Sequence, residues 1–134
     1  MAAIRAAKLG MKTALVEERD LGGTCLNRGC IPTKALVHSA AVYGECAHFE
    51  ALGLSVEGLT YDMAKIHQRK DQVVAQLRGG VEQLLAANGV EVIRGRGKVL
   101  GAGKVDAAGE TCGARNVLIA TGSYPARPPI PGLD

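Results

Sequence analysis

The sequence predicts an α/β fold. Two long stretches carry helical periodicity, short apolar runs do not alternate with polar residues, and glycines sit at the junctions between these pieces. Residues 2–9 are rich in strong helix formers, and Gly10 offers the permissive backbone that ends a helix. Residues 12–17 read as a short strand with an acidic end at Glu17, its apolar centre suiting a parallel strand covered on both faces. Gly22-Gly23 in the following connection lets the chain turn sharply or approach a ligand.

A helix is expected over residues 25–46, bent or irregular near Pro32, which has no amide hydrogen to give the Arg28 carbonyl. A second runs from residue 61 or 62 to 87. Ile66, Val73, Leu77, Val81 and either Leu84 or Leu85 form its apolar side. Gly89 breaks it, and a strand is expected over residues 90–93. Short extended pieces follow around Val99-Leu100 and Lys104-Val105, punctuated by glycines. A last buried strand is expected over residues 116–120, leading to Thr121-Gly122-Ser123 and a proline-rich, extended tail. A nucleotide-binding unit normally opens with strand, glycine-rich turn and helix. This sequence starts in what reads as that helix, so residues 1–134 are expected to form a partial unit without the first strand and its turn.

Composition excludes several classes. Sixteen Lys and Arg against thirteen Asp and Glu give a scattered charge of +3, with no basic stripe for nucleic acid. Tryptophan is absent and Phe49 is the single phenylalanine, which leaves no stacking platform for single strands. No apolar run reaches the length of a membrane span, and the first residues lack the pattern of a secretory signal. Of four cysteines, Cys25 and Cys30 lie five residues apart while Cys46 and Cys112 stand alone. That spacing points to one reactive pair in a cytoplasmic protein rather than a stapled secreted scaffold.

On a regular helix five residues rise about 7.5 Å and turn about 140°, which would point the two sulfurs apart. A disulfide needs Cα atoms within about 7 Å. The pair meets only if Gly29 and Pro32 distort the helix entrance, where free amides would also stabilise a thiolate. On the residues alone, three readings stand: packing thiols, a redox dithiol, and a metal pair. Lys34, four residues after Cys30, is either a solvated face residue or a positive charge near the pair. The spacing is not that of a zinc hairpin, and His38, His48 and His67 read as helix-surface or packing residues; no metal is expected.

The run GGTCLNRGCIPTKAL resembles the redox signature of the class I pyridine nucleotide-disulfide oxidoreductases, most of all the dihydrolipoamide dehydrogenases. LVEERD and NVLIATGS extend the likeness along nearly the whole chain. The resemblance implies an incomplete Rossmann-like FAD-binding domain with a long redox-active helix and a helical insertion, the later domains lying outside residues 1–134. It assigns Cys25 to exchange with the disulfide substrate, and Cys30 to the flavin side, where its thiolate forms a charge-transfer interaction. Lys34 becomes the lysine beside the flavin ring, whose usual glutamate partner has no counterpart here.

Glu17 would hold the adenosine ribose; Gly23 and Thr24 would line the diphosphate path. Gly97 would contact the adenine side, and Thr121, Gly122 and Ser123 would lie at the edge of FAD. The competing accounts are a solvated strand end for Glu17, a sheet turn for Gly97 and a plain strand-to-linker turn for Thr121-Gly122-Ser123. The resemblance further implies NAD as acceptor, dihydrolipoamide or a lipoyl domain as partner, and a homodimer for the full-length protein. Arg28 and Thr33 depart from the commonest residues of related signatures. The alternatives are a piece of another class I flavin disulfide reductase and a non-catalytic remnant.

Overall fold

The structure is a computed structural model that describes residues 1–132. It is a small mixed α/β domain with a partial parallel sheet, as in part of a Rossmann-like fold. Helix α1 (Ala2–Lys8) ends in a glycine cap. Gly10 has φ +81°, its amide donates to Ala7 O at 2.9 Å, and Met11 N donates to Ala6 O at 3.1 Å. Strand β1 (Ala14–Glu17) is two residues shorter than expected at its start.

The expected helix over residues 25–46 is two helices, α2 (Gly23–Arg28) and α3 (Cys30–Cys46), divided at Gly29. The predicted bend at Pro32 is therefore displaced to Gly29. Pro32 falls in the first turn of α3, where an amide has no partner to lose. A 3-10 turn (Phe49–Leu52) follows, and then α4 (Met63–Ala87), whose first amides are capped by Asp62 accepting from Lys65 N at 3.1 Å. The other end of α4 repeats the glycine cap: Gly89 has φ +67°, and Val90 N donates to Leu85 O at 3.0 Å.

That second cap positions the core. Leu85 and Val90, brought together by the cap's own hydrogen bond, join Leu21 as a buried cluster packed by Ile4, Leu15, Val81 and Val92. Leu85 rather than Leu84 is thus the inward residue, and Leu77, expected on the apolar side, is exposed. β2 (Glu91–Arg94) pairs parallel with β1, Ala14 opposite Glu91 and Glu17 opposite Arg94. A parallel pair needs a long crossover, and α2, α3 and α4 supply it.

The glycine-rich stretch forms a separate antiparallel sheet of β3 (Gly97–Gly101), β4 (Lys104–Ala107) and β5 (Glu110–Gly113). Ala108 and Gly109, at φ +57° and +94°, make the tight turn between β4 and β5. The expected buried strand at residues 116–120 is not formed. Leu118 and Ile119 are 73% and 68% exposed. A strand exists through its ladder, and among the described residues neither sheet pairs with this segment. No helix among them is long and apolar enough to cross a membrane.

Candidate redox site at the break between two helices

Cys25 lies inside α2 and Cys30 is the first residue of α3. The helix is broken at Gly29, and the two Cα atoms come to 4.8 Å with the sulfurs joined as a disulfide. The sequence argument required a distorted helix entrance, and the distortion is this break. Gly29 serves by close approach: a Cβ there would lie 3.3 Å from the Thr24 carbonyl oxygen and 3.4 Å from the Cys25 Cα. Both cysteines are exposed, so the bond is open to an incoming thiol.

Several contacts hold the short helix in place. Leu21, 2% exposed, anchors its approach in the core. The Asn27 amide donates from Nδ2 to the carbonyls of Leu21 and Gly23, both at 2.9 Å, sewing the last turn of α2 to its entrance. Asp20 accepts from Arg78 of α4 at 2.7 Å and from Arg28 at 3.5 Å. On the other side Arg69 of α4 donates to the Ala35 carbonyl of α3 at 3.1 Å. Sequence reasoning missed Asn27, Asp20, Arg69 and Arg78. The i,i+4 spacing of Gly23 and Asn27 was the only local signal, and the arginine contacts span 34 and 58 residues.

Lys34 is exposed on α3, one turn beyond Cys30. Thr24 is exposed on α2, and the first residue of that helix, Gly23, has φ +73° with nothing within 4 Å of an added Cβ. Glu17 closes β1. Its Oε1 accepts from Arg19 N at 2.9 Å, and its carbonyl accepts from Gly95 N at 2.9 Å. Gly97 opens β3 against β1, where an added Cβ would lie 3.4 Å from Val16 Cγ1. Thr121, Gly122 and Ser123 are exposed and follow no strand. Their neighbour Tyr124 lies under the Arg19 guanidinium at 5.1 Å, which brings that segment to the loop after Glu17. The structure thus unites Cys25 with Cys30, sets Gly97 beside β1, and brings the segment of Thr121-Gly122-Ser123 toward the loop after β1 through Tyr124.

A family model described as pyridine nucleotide-disulphide oxidoreductase matches residues 1–134. The chain belongs to this family. Among its relatives, the dihydrolipoyl dehydrogenase of Acholeplasma laidlawii is 48% identical over 99% of this chain and 40% of that protein. The dihydrolipoyl dehydrogenase of Chlamydia muridarum is 44% identical over 98% of this chain and 29% of that protein. A solved structure, a Cu(II) complex of the HOCl-induced flavoprotein disulfide reductase RclA from Escherichia coli, superposes with a TM-score of 0.77. It has 32% identity and covers 97% of this chain and 27% of that one. The chain thus spans well under half the length of these relatives. In a pyridine nucleotide-disulphide oxidoreductase, the adjoining Cys25 and Cys30 mark a redox-active disulfide segment.

Proposed function

We propose that residues 1–134 are part of an FAD-binding domain and present the Cys25–Cys30 disulfide to a substrate dithiol. The observation that carries this reading is the break at Gly29, which leaves two exposed cysteines 4.8 Å apart at Cα. A substrate thiolate attacks Cys25 Sγ, the Cys25–Cys30 bond breaks, and Cys30 leaves as thiolate. The second substrate thiol displaces Cys25 and closes the substrate disulfide, so two electrons and two protons pass to the cysteine pair.

The residues present fit FAD in their donor chemistry. Glu17 keeps Oε2 without a hydrogen-bond partner among the described residues, as an acceptor for ribose hydroxyls needs. Gly23 has open space above its backbone, Thr24 offers a hydroxyl beside it, and Lys34 offers a positive charge one turn from Cys30. Gly97 and Thr121-Gly122-Ser123 complete the assignment on the side of β1. Bound FAD would accept the pair's two electrons and pass them to NAD in the whole protein. The chain's residues meanwhile orient the sulfurs and hold the thiolate.

Relatives above 40% identity carry the dihydrolipoyl name, which favours dihydrolipoamide or a lipoyl domain over other dithiols. A homodimer and a cytoplasmic setting belong to the same proposal for the full-length protein. The test is to mix the oxidised chain with dihydrolipoamide and trap thiols for mass analysis, while titrating FAD by fluorescence quenching. Reduction confined to Cys25 and Cys30 is expected. A pair reduced by dithiothreitol but untouched by dihydrolipoamide would remove the substrate assignment.

A further inference from the structure

Arg28 follows Cys25 by three residues within α2, so the two share a helix face with Cβ atoms about 5–6 Å apart. Helical side chains lean toward the helix N-terminus. Arg28 does so: its Nη2 reaches Asp20, which precedes the helix, at 3.5 Å. That course carries the guanidinium back along the turn that holds Cys25. Asp20 is itself fixed, because its other oxygen accepts from Arg78 of α4 at 2.7 Å. The carboxylate therefore holds station between two arginines, Arg78 of α4 and Arg28 on the Cys25 face of α2.

We infer that Arg28 sets the balance between disulfide and dithiol at Cys25–Cys30, and that Asp20 opposes it. Reduction turns a neutral disulfide into sulfurs that carry negative charge as thiolates. The Arg28 guanidinium favours that state, and the Asp20 carboxylate beside it offsets part of the effect. The charges on α3 and α4, which pack against α2, are the same in both variants, Lys34 and Arg78 (paired with Asp20) among them. Because Arg28 and Asp20 are 49% and 37% exposed, solvent damps the effect to a small factor. The inference rests on the pair cycling between its two forms and does not require a bound cofactor.

The test equilibrates the chain with dithiothreitol and its cyclic disulfide at pH 9, above the ordinary thiol value of about 8.5. Each exchange breaks one S–S bond and forms another, the added dithiol giving two electrons, and at this pH its two protons are shared between the protein sulfurs and the buffer. Arg28→Gln is expected to shift the equilibrium about threefold toward the protein disulfide, ~14 mV at about 30 mV per tenfold. Asp20→Asn is expected to shift it the opposite way, and Arg28→Lys to stay with the unsubstituted chain. Loosened structure would move both partners' variants in one direction, so opposite signs are the signature of charge. If Asp20→Asn does not fold, Arg28→Gln against Arg28→Lys decides alone. Equal constants for Arg28→Gln and the unsubstituted chain, or shifts of one sign for both partners, overturn the inference. Failure of the unsubstituted chain to cycle at all would overturn the redox reading itself.

Discussion

Gly29 offers the most direct perturbation of the site. Alanine there puts a Cβ 3.3 Å from the Thr24 carbonyl oxygen and 3.4 Å from the Cys25 Cα, both atoms of the α2 backbone. That backbone yields poorly, since Asn27 ties it to Leu21 and Gly23 and Leu21 is buried. The start of α3 must move instead, by a few tenths of an ångström. The Cα separation then grows from 4.8 Å to ~5.2 Å, still inside the about 4.4–6.8 Å that disulfides accept. The cost is accordingly about 1 kcal/mol, at the low end for added bulk in a close contact. It falls on the disulfide form, because the dithiol lets the hinge relax. Gly29→Ala should therefore shift the thiol–disulfide equilibrium about fivefold toward the dithiol, ~20 mV. Gly29→Val, with two further carbons at the same contact, should shift it by about thirtyfold or more. Oxidised fractions measured across a series of glutathione buffers read both values. A valine variant that oxidises as readily as the unsubstituted chain would refute the account of the break.

Leu21→Ala should lower the free energy of unfolding by about 2–5 kcal/mol, and Leu118→Ala by less than about 0.5 kcal/mol, as read by urea denaturation. Equal losses would contradict the burial difference between them. In Cys30→Ser the Cys25 thiolate should attack oxidised glutathione, release one glutathione and keep the other as a stable mixed disulfide, whereas Cys25→Ser should accumulate far less at Cys30, by peptide mass mapping. The reverse pattern would exchange the two roles. Glu17→Gln should weaken FAD binding about tenfold, the worth of one charge-assisted hydrogen bond, with the helical circular dichroism unchanged. An unaltered dissociation constant would take Glu17 out of the cofactor assignment.

Much of the helical framework was readable because its signals are local. Gly10 and Gly89 end their helices through positive φ, and the apolar spacing of α4 is internal to one element. For the cysteine pair the local spacing gave only a condition, a distortion near Gly29 and Pro32, and left three readings open; the redox reading came from the resemblance of GGTCLNRGCIPTKAL. The position of the break was not readable. Proline's missing amide is costly inside a helix but harmless in its first turn, and which case applies depends on where the helix begins. Residues 116–120 show the opposite limit: apolar, β-branched composition favours a strand, yet a strand forms only against a partner, which the local pattern does not record. Asp20 and Arg78 lie 58 residues apart, so no window along the chain reveals their contact.

The bare stretch Val117-Leu118-Ile119 has a cost for the chain in solution. Short apolar runs of high β propensity, low charge and no proline template one another edge to edge, and this one is presented to water from the outset. Arg115 before it and the prolines from Pro125 onward act as gatekeepers, setting the ends of any such growth without covering its middle. These three residues, unpaired by either sheet among the described residues, are thus an edge open to strand addition by a second chain.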